Sequence, residues 1–170
     1  MPEMVFIGLG SNMGDRLANL RAAGARLSSS PGITLIAASS VYETPPMGVL
    51  EQQADYLNQV LKIECAILPG ELLNLCQSVE RALGRPADHK PLAPRLIDVD
   101  IITYGDQVLE DNKLALPHPE YTSRQFVLAP LQEIDPGFRD PVTGQSIRDL
   151  LADCPEHPIE KVWTEEPVPC

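Results

Sequence analysis

Residues 96–104 read LIDVDIITY, and this stretch decides which kind of sheet the chain builds. Apolar residues alternate with Asp98 and Asp100, and a period of two predicts a β-strand whose successive side chains point to opposite faces of a sheet. Both aspartates therefore share one face, while Ile97 and Val99 belong to the face that a core would cover. The stretch predicts a half-buried strand that carries two carboxylates side by side.

Similar patterns place further elements on either side of this strand. In chain order, the sequence predicts a strand at residues 4–9, a helix carrying leucines 17, 20 and 27, a strand from residue 33 that must end by Pro45-Pro46, a strand at residues 56–67, a helix from Pro69 to a stop at Gly84, a hairpin around Asp111-Asn112, and helices at residues 126–134 and 147–152. The order β-α-β-β-α-β with short connections predicts an α+β fold of the ferredoxin-like type. We expect a mostly antiparallel sheet with helices packed on one face.

Glycines in the pattern G-x-G-x-x-x-G run from Gly8 to Gly14, after the first predicted strand. This spacing is one residue longer than the dinucleotide-binding motif, and Asp15 would repel a pyrophosphate. We therefore interpret the glycines as a tight strand-to-helix turn in which Ser11 or Asn12 caps the helix. The sequence also lacks the pattern G-x-x-x-x-G-K-[ST], which excludes a Walker loop for phosphate.

The composition is typical of a globular protein that contains one domain. The chain has 170 residues, of which 44% are hydrophobic, and its formal net charge of −11 disfavours binding to a nucleic-acid backbone. No run reaches the ~20 apolar residues of a transmembrane helix, and the first residues lack the basic region of a signal peptide. Cysteines at positions 65, 76, 154 and 170 form no C-x-x-C pair, so we expect reduced thiols. We expect a cytoplasmic monomer with no membrane or nucleic-acid partner, one domain over residues 1–170, and an acidic, solvated tail at about residues 153–170.

The D-x-D pair is the first candidate for chemistry. Two like charges on a half-buried strand need a compensating cation, and Mg²⁺ takes oxygen ligands and shares its shell with substrate phosphates. A solvent-facing sheet edge explains a lone D-x-D pair equally well. Basic residues gather just before the pair, at Arg81, Arg85, Lys90 and Arg95. Arg85 and Arg95 favour a site for magnesium and a nucleoside triphosphate.

Histidines and aromatic residues supply further candidates. The histidines at positions 89, 118 and 157 are too dispersed for a zinc site, and each alone is more often a surface residue than a ligand. His118 lies in a rigid Pro-His-Pro turn, and Arg124 follows within reach of the same phosphates. Tyr56 and Asn58 share a strand face. Tyr56 and Phe126 are each more often core residues than a platform for a ligand.

Together these segments resemble one family, the 6-hydroxymethyl-7,8-dihydropterin pyrophosphokinases. The resemblance runs from Phe6 to about Leu151. In order, its motifs are IGLGSN at 7–12, YETPPMG at 42–48, DYLN at 55–58, Glu80 with Gly84-Arg85, APRLIDVDI at 93–101, and LPHP at 116–119 followed by Arg124 and Phe126. Each motif is weak alone, and their order makes the combination specific.

The resemblance implies transfer of the terminal diphosphate of ATP, as co-substrate, to the hydroxymethyl group of a reduced pterin in folate biosynthesis, with release of AMP and use of two Mg²⁺ ions. It implies that Asp98 and Asp100 bind the metal and that Arg85 and Arg95 neutralise the phosphates. The implied ATP contacts are Gln77, Glu80, Arg85, Arg95, Ile101, Lys113, His118 and Arg124. The implied pterin contacts are Thr44, Pro45, Met47, Tyr56, Asn58, Asp98 and Phe126, with the ring between Tyr56 and Phe126 and its amide edge on Asn58.

The chain departs from some family members in the loop after Arg85. Ala87, Leu92 and Ala93 stand there in place of an arginine, a tryptophan and a glycine. From the residues alone, two other functions stay open: a ferredoxin-like module that senses a small ligand without chemistry, and an RNA-binding domain. The small number of basic residues and the lack of paired exposed aromatics on a strand argue against RNA binding.

Overall fold

A six-stranded antiparallel sheet forms the centre of the computed structural model, which describes residues 2–46, 53–84 and 96–163. In chain order, the elements are β1 (Glu3–Ser11), α1 (Arg16–Ser28), β2 (Ile33–Ala38), β3 (Val41–Thr44), β4 (Tyr56–Cys65), α2 (Pro69–Ala82), β5 (Asp98–Tyr104), β6 (Leu109–Glu110), β7 (Ala115–Leu116), a short 3-10 turn (Tyr121–Ser123), α3 (Gln125–Ile134), α4 (Ile147–Asp153) and β8 (Glu160–Trp163). β6 and β7 form a separate hairpin, as the sequence predicted.

Strand β1 lies between β5 and β4, and β4 pairs further with β2 and β3. The sequence predicted one strand from residue 33 to Pro45, but the structure has two strands that lie one after the other along β4. The break falls at Ser39, whose hydroxyl accepts a hydrogen bond from Val60 N–H at 2.9 Å. A side-chain oxygen thus replaces a backbone oxygen as hydrogen-bond acceptor at this point. The hydrophobic pattern of the sequence does not depend on this hydrogen bond, so it could not predict the break.

Helices cover both faces of the sheet, and the prediction of helices on one face is wrong. α1 and α2 pack over the face that buries Ile7, Leu61 and Ile101, while α3 and α4 pack over the face that buries Phe6 and Ile102. The neighbouring residues Ile101 and Ile102 of β5 are only 4% and 2% exposed. Because neighbouring strand residues point to opposite faces, this burial requires apolar cover on both sides.

Local signals fix the ends of α1 and α2. Asp15 caps α1 by accepting a backbone hydrogen bond at 3.1 Å from the residue three positions on, so Ser11 and Asn12 are not the cap. Pro69 begins α2, and Gly84 follows its end with a φ of +104°, as predicted. None of the helices in the described part of the chain is both long enough and apolar enough to cross a membrane.

The predicted solvated tail contains a strand. β8 pairs antiparallel with β3, where Lys161 lies opposite Tyr42. All four side chains of β8 are exposed, so backbone hydrogen bonds to the edge of β3 hold the strand, and Arg21 stacks on Trp163 at 5.0 Å from the ring centroid. A strand without a buried face leaves no alternating hydrophobic pattern in the sequence, which explains why the prediction missed it.

Candidate active site

A cavity of about 610 Å³ opens above the central strand β1, on the side of the sheet where α3 packs. Its walls come from the end of β3, the first half of β4, the start of β5, the 3-10 turn and the first turn of α3. These segments lie far apart in the sequence, so only folding brings their side chains together.

Two glycines of β1 form the floor of the cavity. Gly10 lies opposite Asn58 on β4 and Asp98 on β5, and Gly8 lies opposite Asp100. A Cβ atom at Gly10 would lie 3.4 Å from Asn58 Oδ1, so a larger side chain would fill the space that Asn58 borders. The interpretation of this pair as a strand-to-helix turn is wrong, because both glycines lie within the strand. Two glycines that lie two residues apart inside a strand indicate that another group approaches the strand closely, and sequence reasoning missed this signal.

The end of the cavity beside β3 presents neutral polar groups. Asn58 Nδ2 donates a hydrogen bond to Thr44 Oγ1 at 2.8 Å, and the two residues are 5% and 2% exposed. This bond between buried side chains uses one of the two amide donors of Asn58 and fixes the orientation of its amide. The arrangement suits a planar ligand that has donors and acceptors of its own.

Aromatic side chains line the same end. Tyr56 begins β4, and Phe126 lies in the first turn of α3. The Arg124 guanidinium lies 5.7 Å from the centroid of the Phe126 ring, and the His157 ring centroid lies 6.4 Å from it. Tyr56 and Phe126 thus offer apolar ring surfaces to a flat heterocycle.

Asp98 and Asp100 line the other end of the cavity. Asp98 is half-buried and Asp100 is exposed, and the side chain of Val99 between them enters the core. Glu80 Oε2 accepts a hydrogen bond from Val99 N–H at 3.1 Å, which ties α2 to the backbone between the two aspartates. Among the residues that the structure describes, no group of three or more His, Cys, Asp or Glu side chains could hold a metal ion. The carboxylates that this end offers to a cation are those of Asp98 and Asp100.

The segment after β7 adds His118 and Arg124 to the cavity wall. His118 N–H donates to Ile102 O at 2.7 Å, and Glu120 N–H donates to His118 Nδ1 at 3.1 Å. Because Nδ1 accepts, the neutral ring carries its proton on Nε2. Burial and then the nearby Arg124 lower the pKa of His118 from 6.5, so the ring is neutral at pH 7. Arg124 forms an ion pair with Glu120, a lining residue that the sequence did not indicate.

Comparison with known proteins identifies this combination of features. The family model for 7,8-dihydro-6-hydroxymethylpterin-pyrophosphokinase (HPPK) matches residues 6–136. The chain belongs to the HPPK family. The matched range contains all the described residues that line the cavity, and the resemblance predicted from the sequence is confirmed.

Curated HPPK relatives match most of the chain. The 2-amino-4-hydroxy-6-hydroxymethyldihydropteridine pyrophosphokinase of Methylorubrum extorquens is 40% identical over 157 residues, which is 92% of this chain and 97% of the relative. The protein with that name from Bacillus subtilis is 42% identical over 134 residues, or 79% of each chain.

Solved HPPK structures share the fold. A crystal structure of HPPK-DHPS in complex with substrates superposes on 89% of this chain with a TM-score of 0.69 at 11% identity. A Plasmodium falciparum HPPK-DHPS variant gives the same TM-score and coverage at 14% identity. This chain spans 43% and 45% of those longer chains. At these identities the likeness concerns the fold alone.

The residues predicted for the HPPK site divide into three groups. The cavity is lined by Thr44, Pro45, Tyr56, Asn58, Asp98, Asp100, His118, Arg124 and Phe126. Four predicted ATP contacts lie away from this lining: Gln77, exposed on α2; Glu80, bonded to β5; Ile101, buried under α1 and α2; and Lys113, exposed between β6 and β7. Outside the described residues lie Met47, Arg85 and Arg95, together with Ala87, Leu92 and Ala93.

Proposed function

We propose that this chain transfers the terminal diphosphate of ATP to the hydroxymethyl group of 6-hydroxymethyl-7,8-dihydropterin, which yields the pterin diphosphate and AMP in folate biosynthesis. Membership of the HPPK family and the names of the relatives support this reaction. The observation that carries it is that one cavity combines a fixed amide, aromatic side chains and a pair of carboxylates. A pterin suits the amide and the rings, and diphosphate transfer suits carboxylates that bind a metal.

In this proposal the pterin ring lies between Tyr56 and Phe126, and its amide edge pairs with Asn58. Thr44 holds the Asn58 amide in place through the 2.8 Å hydrogen bond, and Pro45 closes the wall beside it. Because the Asn58 amide is buried, a ring without the matching donors and acceptors would leave it unpaired, at a cost of about 1–3 kcal/mol. The pterin end therefore selects its ligand by the pattern of hydrogen bonds.

Asp98 and Asp100 suit magnesium. Mg²⁺ usually keeps several waters and is bound through one or two carboxylates together with substrate phosphates, and the described residues offer a donor set of that kind. We infer that Asp98 and Asp100 would hold two Mg²⁺ ions together with ATP, and that the metal would supply neutralisation of charge on the transferring phosphates. The hydrogen bond between Glu80 and the strand holds the backbone between the two carboxylates.

The proposed phosphate contacts are cationic or donate hydrogen bonds. His118 carries its proton on Nε2, because its Nδ1 accepts from the backbone, and Nε2–H donates to a phosphate oxygen. Arg124 adds a charged fork that matches phosphate geometry. The family resemblance adds Arg85 and Arg95 for the phosphates and Met47 for the pterin.

The remaining proposed ATP contacts are Gln77, Glu80, Ile101 and Lys113. The side chain of Ile101 lies in the core, so its contact with ATP uses the backbone. Val99 N–H points away from β1 toward Glu80, and residues two apart in a strand direct their backbone groups the same way. Ile101 thus presents its backbone groups at the outer edge of β5.

Diphosphate transfer depends on the positioning of the substrates and on neutralisation of charge more than on covalent chemistry by the protein. Asn58 and the aromatic side chains hold the pterin so that its hydroxymethyl oxygen is in line with the β-phosphorus. Asp98 is proposed to contact both pterin and metal, and it orients the hydroxyl group. The bond between that oxygen and the β-phosphorus forms while the bond from the β-phosphorus to the bridging oxygen of the α-phosphate breaks. AMP leaves with the bridging oxygen, and the hydroxyl proton passes to solvent.

We also propose that the chain is one ferredoxin-like α+β domain that acts as a cytoplasmic monomer, on small molecules and without nucleic-acid or membrane partners. The neighbouring strands β5, β1, β4 and β2, with α1 and α2 in the connections, support the fold assignment. The net charge of −11 disfavours nucleic acid, and the free thiols of Cys65 and Cys76 suit a reducing compartment. Light scattering that gives a mass near 18.6 kDa would support the monomer.

The experiment that tests the reaction measures nucleotide products. We expect AMP from ATP only when Mg²⁺ and the hydroxymethyl pterin are both present. ADP formation that is independent of pterin would contradict the proposal. Calorimetric titration of the pterin, with and without Mg²⁺ and a nonhydrolysable ATP analogue, separates the two sites: a sensor of pterin alone binds equally in both cases, whereas the enzyme shows dependence on the nucleotide.

A further inference from the structure

The segment between α4 and β8, residues 154–159, reaches the pterin end of the cavity. Strand β8 pairs with β3 in the register that places Glu160 opposite Glu43. Thr44, the last residue of β3, comes next, and Pro45 follows it in the cavity wall. The pairing of the two strands therefore brings the end of this segment to the wall that Pro45 forms.

Within this segment, His157 contacts two walls of the cavity. Its Nε2 lies 3.1 Å from Pro45 O, and its backbone N–H donates to Gln125 Oε1 at 3.0 Å. Its ring also meets the Phe126 ring at 62°, with the centroids 6.4 Å apart. Pro45 follows β3, whereas Gln125 and Phe126 begin α3, so a single residue joins two elements that border the cavity from different sides.

The partner of the His157 ring defines its role in the hydrogen bond. A carbonyl oxygen such as Pro45 O can only accept, so His157 Nε2 must carry a proton and donate it. Pro45 itself has no backbone N–H to offer. His157 lies outside the cavity lining, and any effect on the ligand passes through Pro45 and Phe126.

We propose that His157 is a positioning residue for the pterin end of the site: it fixes Phe126, one of the two rings proposed to hold the pterin, relative to Pro45 in the cavity wall. The inference rests on the proposed function of the cavity. Because a small displacement of a binding wall weakens a ligand that is held on both faces, the loss of His157 weakens pterin binding and leaves the ATP end unchanged.

Three variants of the full chain separate the parts of this contact. His157→Ala removes donor and ring, His157→Phe keeps an aromatic ring without a donor, and His157→Gln keeps a side-chain N–H donor. Glu156→Gln, at an exposed position of the same segment, is the matched control. Initial rates of AMP formation give kcat and KM for each substrate, and thermal unfolding reports whether each variant is folded.

We expect His157→Ala and His157→Phe to raise the KM for pterin about 3- to 10-fold, in keeping with the loss of one hydrogen bond, with kcat and the KM for ATP within about twofold of wild type. His157→Gln should recover most of the pterin KM, and Glu156→Gln should match wild type. An unchanged pterin KM in His157→Ala would overturn the proposal, and so would equal changes in both KM values with a lowered Tm, which indicate a general structural role. A wild-type chain that forms no AMP would instead overturn the proposed function, and this inference with it.

Discussion

The two ends of the cavity are built in different ways. At the proposed pterin end, Asn58 and Thr44 are buried, neutral and bonded to each other. At the other end, which we propose binds the phosphates and call the phosphate end, Asp98, Asp100 and Arg124 are charged and exposed or half-exposed. The first end is preorganised by the fold, while the second carries charged groups that suit a charged ligand. Substitutions at the pterin end should therefore weaken pterin binding, and those at the phosphate end should slow turnover or weaken the binding of ATP.

The largest effect is expected from the carboxylates. Asp98→Ala or Asp100→Asn removes a proposed metal ligand, and kcat should fall by about 10³-fold or more because charge on the phosphates is no longer neutralised. Asp106→Asn, at an exposed position just beyond the other end of β5, is the control and should keep wild-type rates. The measurement is AMP formation at saturating substrates, with circular dichroism as a check of the fold. Retention of a tenth of the activity by both aspartate variants would break the assignment of this end.

The next effect tests the pterin end. Asn58→Ala should weaken pterin binding about 10- to 100-fold, because both the ligand and the buried Thr44 hydroxyl lose a partner. Thr44→Val removes only the group that holds the amide, so a smaller loss is expected. Asn112→Ala, on the exposed hairpin turn, serves as the control. Calorimetry with pterin gives the dissociation constants, and an equal loss of ATP affinity would show that the two ends are not separate.

A smaller effect concerns the ion pair at the phosphate end. Arg124→Ala should raise the KM for ATP about 10-fold, the loss of one charge-assisted contact. Glu120→Gln should lower the KM for ATP or leave it unchanged, within about twofold. An exposed ion pair such as that between Glu120 and Arg124 contributes little, and in the proposed complex Glu120 would compete with phosphate for Arg124. Steady-state kinetics at varied ATP concentration will measure the KM for ATP of both variants. A large rise in KM for Glu120→Gln would mean that the carboxylate orients Arg124 for ATP.

The sequence predicted correctly those elements that are determined by a pattern within a short stretch of residues. The alternation around Asp98 and Asp100 predicted β5, and the helix signals at Pro69 and Gly84 predicted the ends of α2. Neither feature depends on distant residues, because side-chain period and backbone conformation are properties of a short stretch.

The features that were missed depend on contacts across the chain. His157 and Pro45 are 112 positions apart, and no short pattern links them. β8 has no buried face, and so it leaves no hydrophobic period. The glycines of β1 were assigned to a turn because their role as a cavity floor appears only when β4 and β5 flank the strand. Family resemblance pointed to the chemistry of the site, and the structure adds the scaffold around it.

The smallest effect on activity is expected from a substitution in that scaffold, at Glu133. Glu133 of α3 accepts hydrogen bonds from Ser40 N–H at 2.8 Å and from Tyr42 Oη at 3.0 Å, and Lys161 Nζ lies 3.7 Å from it. The carboxylate thereby ties the helix that carries Phe126 to the β3 segment. Burial raises the pKa of Glu133, but the hydrogen bonds from Ser40 and Tyr42 and the charge of Lys161 outweigh burial and leave the pKa below 4.5.

The sign of the pH dependence follows from that lowered pKa. A carboxyl group with a lower pKa in the folded state stabilises the protein above its unfolded pKa, and this contribution is lost as the pH falls through the folded value. Glu133→Gln should therefore lower the Tm at pH 7, by roughly 2–4 °C for each kcal/mol lost. The Tm of this variant should approach that of wild type as the pH falls below 4.5 and through the lowered pKa of the folded state. Thermal unfolding between neutral and acid pH measures this difference, and a constant Tm gap would contradict it. Because Glu133 touches neither proposed substrate, the kcat of Glu133→Gln at pH 7 should stay within about threefold of wild type. A lowered Tm with an unchanged kcat would show that Glu133 stabilises the fold and takes no part in turnover.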